Sequence, residues 1–400
     1  MTSAEPAPSG LHRELSGAVA DLGVLVPIAV ALIVTNGLSP TAVLLPAGLL
    51  YLTVAAVYRL PIAVQPLKAV GAIAIAKGMG ADEIAAAALV LGAIFLALGT
   101  TGLLDRLGRA FPRALIRGVQ LTVGLLFLKV AWGLVAHPPA SFERYAPAPE
   151  WAIPLGALVV GLAVLLRRRP VALALVAVGA VVMLARAGGI PSFGPSGLDF
   201  PALSWATLAA AFTALVVPQL PLTFANSCLA PVDAARAYFG ERARRVTTGR
   251  LATTLGLANL FSGTIAGMPV CHGAGGLTAH YAFGARTWRA PLAIGSALLV
   301  LAFAFGSGLA VLLTAFPLPI LAGILATAGL LHIALLRDLR GGREWSIAVA
   351  VGAVGLGGNL TFGLALGLVL WWGSELVLRV GWSPWSSRWS LPSQRTGDGS

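Results

Sequence analysis

The sequence predicts an all-α polytopic membrane protein of about fourteen spans, arranged as two inverted seven-span repeats. Three observations lead to that class. Hydrophobic residues make up 58% of the chain and charged residues 10%, whereas a soluble domain carries about 25% charged residues. Arginines gather in alternate connections between the apolar stretches. One apolar segment in each half is interrupted by prolines, glycines and polar groups where an unbroken membrane helix would be more stable.

The spans are read in order over 14–36, 41–58, 62–77, 83–104, 113–136, 151–166 and 171–187. The second half gives 203–224, 248–263, 269–283, 288–306, 309–335, 345–358 and 360–379. The first span holds Asp21 ahead of Pro27, and the third is the interrupted Arg59-Leu-Pro-Ile-Ala-Val-Gln-Pro-Leu-Lys68. The eighth holds Val217-Pro-Gln-Leu-Pro-Leu-Thr223 and ends Asn226-Ser-Cys228; the tenth is the interrupted Gly267-Met-Pro-Val-Cys-His-Gly-Ala-Gly-Gly276. Each half therefore presents a Pro-containing span and, two spans later, a short broken one. Backbone broken at membrane depth is tolerated where it is buried in protein or lines a cavity. A matched pair of such segments points to a midplane site in a transporter built from repeats. An odd number of spans per half starts the second repeat from the opposite side of the membrane. The chain divides into tails at 1–11 and 381–400, repeats at 12–187 and 203–380, and an external connection at 188–202. Both tails are rich in Pro, Ser and Gly and are read as disordered.

The formal charge of +12 is a topology signal. With a cytoplasmic N-terminus, the cytoplasmic connections hold Arg59, Arg106, Arg109, Arg113, Arg117 and Arg167–Arg169. The second half adds Arg236, Arg242, Arg244, Arg245, Arg250, Arg286, Arg289, Arg337, Arg340 and Arg343. External connections hold Arg144 and Arg186. Lys and Arg favour the cytoplasmic side, so both termini are expected inside a cell membrane, with no nucleic-acid partner. The opening segment has no cationic n-region, so no cleaved signal peptide is expected. Cys228 sits at the cytoplasmic end of span eight and Cys271 in the second broken segment, so no disulfide is expected. His12, His137, His272, His280 and His332 are dispersed, and no metal or other cofactor is expected. No Walker, GxSxG or nucleophile–base pattern supports an ATPase or an intramembrane enzyme.

The span beginning Glu14-Leu-Ser-Gly-Ala-Val-Ala-Asp21 and reaching Pro27 resembles the first span of sulfate permeases and related anion carriers. Three longer stretches are similar to the molybdate transporter branch of that superfamily. They are Pro61-Ile-Ala-Val-Gln-Pro-Leu-Lys68, Pro218-Gln-Leu-Pro-Leu-Thr-Phe-Ala-Asn-Ser227, and Met268-Pro-Val-Cys-His-Gly-Ala-Gly-Gly276 followed by Phe283-Gly-Ala-Arg-Thr287. Sulfate permeases usually carry a cytoplasmic regulatory domain after the last span, and here about twenty residues follow it, as in the molybdate branch. The resemblance implies a core domain of spans one to four and eight to eleven, and a gate domain of the rest. Spans three and ten become half-helices, preceded by short extended stretches, whose N-termini meet near the midplane. It also implies secondary import of molybdate by an elevator-like alternation of access. A sulfate, bicarbonate or nucleobase permease of the same fold is the alternative. Oligomeric state stays open, a homodimer included.

Such an arrangement suits a tetrahedral oxyanion. A helix N-terminus exposes unpaired N–H groups and about half a positive charge, so two termini and Lys68 supply about two positive equivalents. Gly273 and Gly275, flanking Ala274, let backbone approach a ligand, and Gln65, Gln219, Thr223 and Asn226 add neutral donors. Bland readings stand beside these. Lys68 can snorkel to the interface, Gln65 can satisfy broken backbone, and Gln219 and Asn226 can join helices. Cys271 suits packing, and His272 suits donation to the anion, proton exchange or packing. Asp21 is a proton-coupling candidate or a structural ion pair. Lys77 and Lys129 are assigned to span ends or local pairs and left out of the site.

Overall fold

The computed structural model describes residues 10–18, 22–104, 112–166, 171–187, 192–357 and 360–379. Asp21, Arg106, Arg109, Arg167–Arg169, residues 1–9 of the first tail and the whole of the second lie outside the described residues, and Leu11, expected in the tail, opens a helix. The first half holds α1 (Leu11–Ala18), α2 (Leu22–Asn36), α3 (Pro40–Val57), strand β1 (Ala63–Pro66), α4 (Lys68–Lys77), α5 (Ala81–Thr101), α6 (Arg113–Ala136), α7 (Pro149–Leu165) and α8 (Val171–Ala187). The second holds α9 (Trp205–Arg245), α10 (Thr248–Thr264), strand β2 (Val270–Gly273), α11 (Ala274–Ala282), α12 (Arg289–Thr314), α13 (Leu318–Ala334), α14 (Gly341–Gly357) and α15 (Leu360–Arg379).

Local signals set the ends. The Ser39 hydroxyl caps α3 at the Ala42 N–H, with Pro40 just inside, where its missing N–H is not needed. α4 ends at Gly78 in the left-handed region, φ 61°, a conformation that a Cβ disfavours. Thr247 caps α10 by accepting from Arg250 N at 3.3 Å.

Seven helices are long and apolar enough to cross a membrane among the described residues. Phe362 and Val369 on one of them, and Trp151 and Val181 on the shorter apolar helices α7 and α8, are each about two-thirds exposed, as a lipid-facing surface requires. The described helices follow the expected span order with two corrections. The break expected at Ser307–Gly308 falls instead at Ala315-Phe316-Pro317: α12 runs through to Thr314, and α13 begins after Pro317. Glycine is accommodated inside packed membrane helices, whereas proline defines a helix start. The span expected to end at 224 continues as helix to Arg245, with π-helical segments at Phe212–Val216 and Thr223–Leu229 flanking Pro218 and Pro221. A wider turn lets the helix pass prolines whose missing N–H would otherwise end it.

Helix pairing follows a two-fold pattern. α5 packs along α10 and α3 along α12; exchanging the halves turns one pair into the other. α6 packs on α13, and its contact with α14 mirrors that of α13 with α7. Glycines let these backbones approach. A Cβ at Gly92 would lie 2.9 Å from Gly256 O, one at Gly295 2.9 Å from Gly48 O, and one at Gly329 2.6 Å from Gly124 O. Close small-residue crossings supply the dispersion contacts that hold helices together in lipid, where hydrophobic burial drives little.

Candidate functional site

β1 and β2 pair antiparallel, with Ala63 opposite Gly273, Val64 opposite His272, Gln65 opposite Cys271 and Pro66 opposite Val270. All eight residues are buried. Extended backbone at this depth needs partners for its polar groups. The ribbon supplies them across the pair, and Asn259 of α10 supplies more: its Oδ1 accepts from Val270 N at 2.9 Å, while its Nδ2 donates to Val270 O at 2.7 Å. Leu67 N closes the end by donating to Pro269 O at 3.0 Å.

Successive side chains alternate across a strand. Gln65, Cys271 and Gly273 therefore share one face, and Val64 and His272 the other. On the first face Lys68 Nζ donates to Gln65 Oε1 at 2.6 Å. A Cβ on Gly273 would collide with the same amide. Gln65 thus lies between the first residue of α4 and the N-cap of α11, which ties the two helix starts into one locus.

The two starts are finished differently. Leu67, the N-cap of α4, offers no side-chain acceptor, but Gln219 reaches across from α9. Its Oε1 accepts from Ala69 N at 2.9 Å and Val70 N at 3.1 Å, and its Nε2 donates to Thr223 Oγ1 at 2.9 Å. Gln219 and Thr223 are both buried. They serve as a cap supplied by a distant helix. Gly273, the N-cap of α11, has no side-chain cap either. Here Ala274 is half-buried, Gly275 is exposed, and a Cβ on Gly275 would meet nothing within 4 Å. In the first turn of α11, Gly275 is the exposed residue, and Gly276 and Leu277 are buried.

Cys271 is buried, with its thiol donating to Pro66 O at 3.5 Å. His272 lies on the opposite ribbon face. Nε2 is 3.1 Å from Thr254 Oγ1, Nδ1 is 3.4 Å from Ala63 O, and the ring meets Tyr58 edge-on at 6.0 Å. Nε2 ties the ribbon to α10, Nδ1 reaches across the ribbon to β1, and the ring packs at the end of α3, so His272 is set apart from Lys68 and Gln65. Asn226 is half-buried within the second π-helical segment of α9 and hydrogen-bonds to none of the described residues. His332 of α13, which no sequence pattern marked, lies within electrostatic range of Lys68 and packs edge-on against Phe127 at 5.9 Å. No group of three or more His, Cys, Asp or Glu residues capable of holding a metal occurs among the described residues.

A family model described as "Molybdate transporter of MFS superfamily" matches residues 13–127 and 211–331, together more than half of the chain. Molybdate transporter 2 of Arabidopsis thaliana is 29% identical over 406 residues, covering 90% of this chain and 87% of that protein. Molybdate transporter 1 of Chlamydomonas reinhardtii is 27% identical over 468 residues, covering 89% and 90%. The transmembrane domain of the cyanobacterial bicarbonate transporter BicA has the same fold, with TM-score 0.64 and 19% identity over 92% of this chain and 98% of that one. The murine anion transporter Slc26a9, in its inward-facing state, gives TM-score 0.66 at 15% identity, over 93% and 69%. The chain belongs to the molybdate transporter family, as a multi-pass membrane transporter rather than an enzyme.

Proposed function

We propose that the chain is a secondary transporter that imports molybdate, or a closely similar tetrahedral oxyanion, by binding it where α4 and α11 begin. The observation that carries this reading is the start of α11, without a side-chain cap and with Gly275 exposed, beside the Lys68–Gln65 pair. The α11 terminus contributes about half a positive charge and Lys68 a full one, so about one and a half equivalents face a dianion. Gln219 has taken two N–H groups of α4, which makes α11 the main source of backbone donors. Lys68, Gln65, Gly273, Ala274 and Gly275 form the ligand contacts in this reading. Gln219, Thr223 and Cys271 hold the two starts in place, Asn226 borders them, and Asp21 is a coupling candidate.

Alternating access is proposed to be a rigid movement of α1–α5 with α9–α12 against α6–α8 with α13–α15. The glycine-mediated α3–α12 and α5–α10 contacts join the first group, and the α6–α13 and α6–α14 contacts join the second. The arginine asymmetry supports a cell-membrane location with both termini cytoplasmic.

Uptake of isotope-labelled molybdate into proteoliposomes, with competing sulfate and with or without a pH gradient, tests the function. Saturable uptake that equimolar sulfate barely inhibits is expected. Equal inhibition by sulfate would give the site to oxyanions generally, and no uptake of either would reject the reading.

A further inference from the structure

α4 carries a lysine at each end. Lys68 opens the helix at the site, and Lys77 closes it about 14 Å further along the axis. There Lys77 lines a cavity of about 180 Å³ together with Lys129 of α6. Ile73, Leu126, Leu356 and Leu360 form most of its remaining wall, where α4 and α6 meet the α14–α15 junction. A water needs roughly 10–15 Å³ of such space, so the cavity holds several waters or a small hydrated ion.

None of the residues lining the cavity is acidic. The ion pairs found among the described residues are Arg117–Asp338 and Arg343–Glu375, and neither involves these lysines. Lys77 has a structural reason for its place, since a cation is favoured in the last turn of a helix. Lys129 has none. Both lysines are exposed, and Lys129 lies in the body of α6, which runs from Arg113 to Ala136; an ionisable side chain within a span marks an ion path by default. Two lysines with no acidic residue beside them in the cavity lining give the recess a local positive charge, which a small dianion balances.

We propose that this cavity is an anion vestibule, in which Lys77 and Lys129 attract and briefly hold a small divalent oxyanion on its way to the α4–α11 locus. The proposal rests on the oxyanion-transport reading and adds a second, peripheral site to it. Charge-lined clefts raise the local concentration of a counter-ion by about 10- to 1,000-fold.

A cysteine at Leu356, a 42% exposed position on the cavity wall, reads the local field directly. Both native thiols are buried, and the chain without the added cysteine gives the blank. The rates of modification by an anionic and a cationic methanethiosulfonate of similar size are compared in protein that elutes as a single species. The anionic reagent is expected to react faster. Their ratio is expected to fall about tenfold or more in a Lys77→Gln, Lys129→Gln background, with Lys129→Gln alone giving an intermediate fall. Molybdate or sulfate should slow modification when the lysines are present and leave it unchanged when they are absent. A ratio indifferent to both lysines, or modification that neither oxyanion slows, overturns the vestibule even where proteoliposomes take up molybdate normally. A lysine-dependent ratio in a protein that takes up no oxyanion would instead overturn the transport path and leave an anion site.

Discussion

α4 and α11 each follow a buried four-residue strand, and each begins without a side-chain cap of its own. Their first turns then meet different surroundings. At α4, a glutamine on another helix satisfies two N–H groups, and a lysine adds a full charge. At α11, no side chain caps the start, and a Cβ on Gly275 would meet nothing within 4 Å. In the proposed site, one start supplies fixed charge on a stabilised scaffold and the other supplies backbone donors without a side-chain cap. A helix N-terminus is an anion site only while its donors stay unspent. The proposed site accordingly takes its charge from the first repeat and its backbone donation from the second.

Removing the charge should have the largest effect. Lys68→Gln is expected to weaken molybdate binding on the order of 100-fold, because a hydrogen bond to a charged group contributes about 1.5–3 kcal/mol. Calorimetric titration of the purified variant checks this, and unchanged affinity would remove Lys68 from the site. Next comes bulk at the open start. Gly275→Val should fold, since nothing lies within 4 Å of its Cβ, and should lose roughly tenfold or more in affinity by covering donors. Gly273→Val should instead lower the melting temperature, because its Cβ meets the Gln65 amide.

Gln219→Glu separates capping from donation. A carboxylate caps a helix start as well as an amide does, so thermal stability should hold while the added negative charge lowers oxyanion affinity. A large loss of stability with normal binding would contradict the cap. The smallest effect on binding belongs to His272→Asn. Affinity should stay within about twofold, while stability falls by about 1–2 kcal/mol through lost contacts with Thr254 and Tyr58. A tenfold loss of affinity would return His272 to the site.

Much of this was legible in the chain. Pro61, Pro66 and Pro269 marked where membrane helix was impossible, and Lys68 and Gln65 stood out as polar groups beside those breaks. The partition of roles was not legible. Which face of the ribbon holds His272 depends on strand parity and register, and both appear only once Gln65 is seen opposite Cys271. Gln219 caps an amide 150 residues away in sequence, a contact that no local pattern encodes. His332 sits alone in an apolar span and meets Lys68 only through the packing of α13. The α12–α13 boundary was displaced because Ser307–Gly308 looks like a break in a soluble context, while a packed membrane helix passes through it.

Anomalous diffraction at the molybdenum edge, from crystals of the protein grown with molybdate, tests the central claim most directly. The metal's signal locates the ion without reference to its surroundings. A peak is expected on the Gln65 face of the ribbon, its oxygens within roughly 3 Å of Lys68 Nζ and the Gly275 N–H. A peak found only beside His272, or only in the Lys77–Lys129 cavity at saturating molybdate, would contradict it.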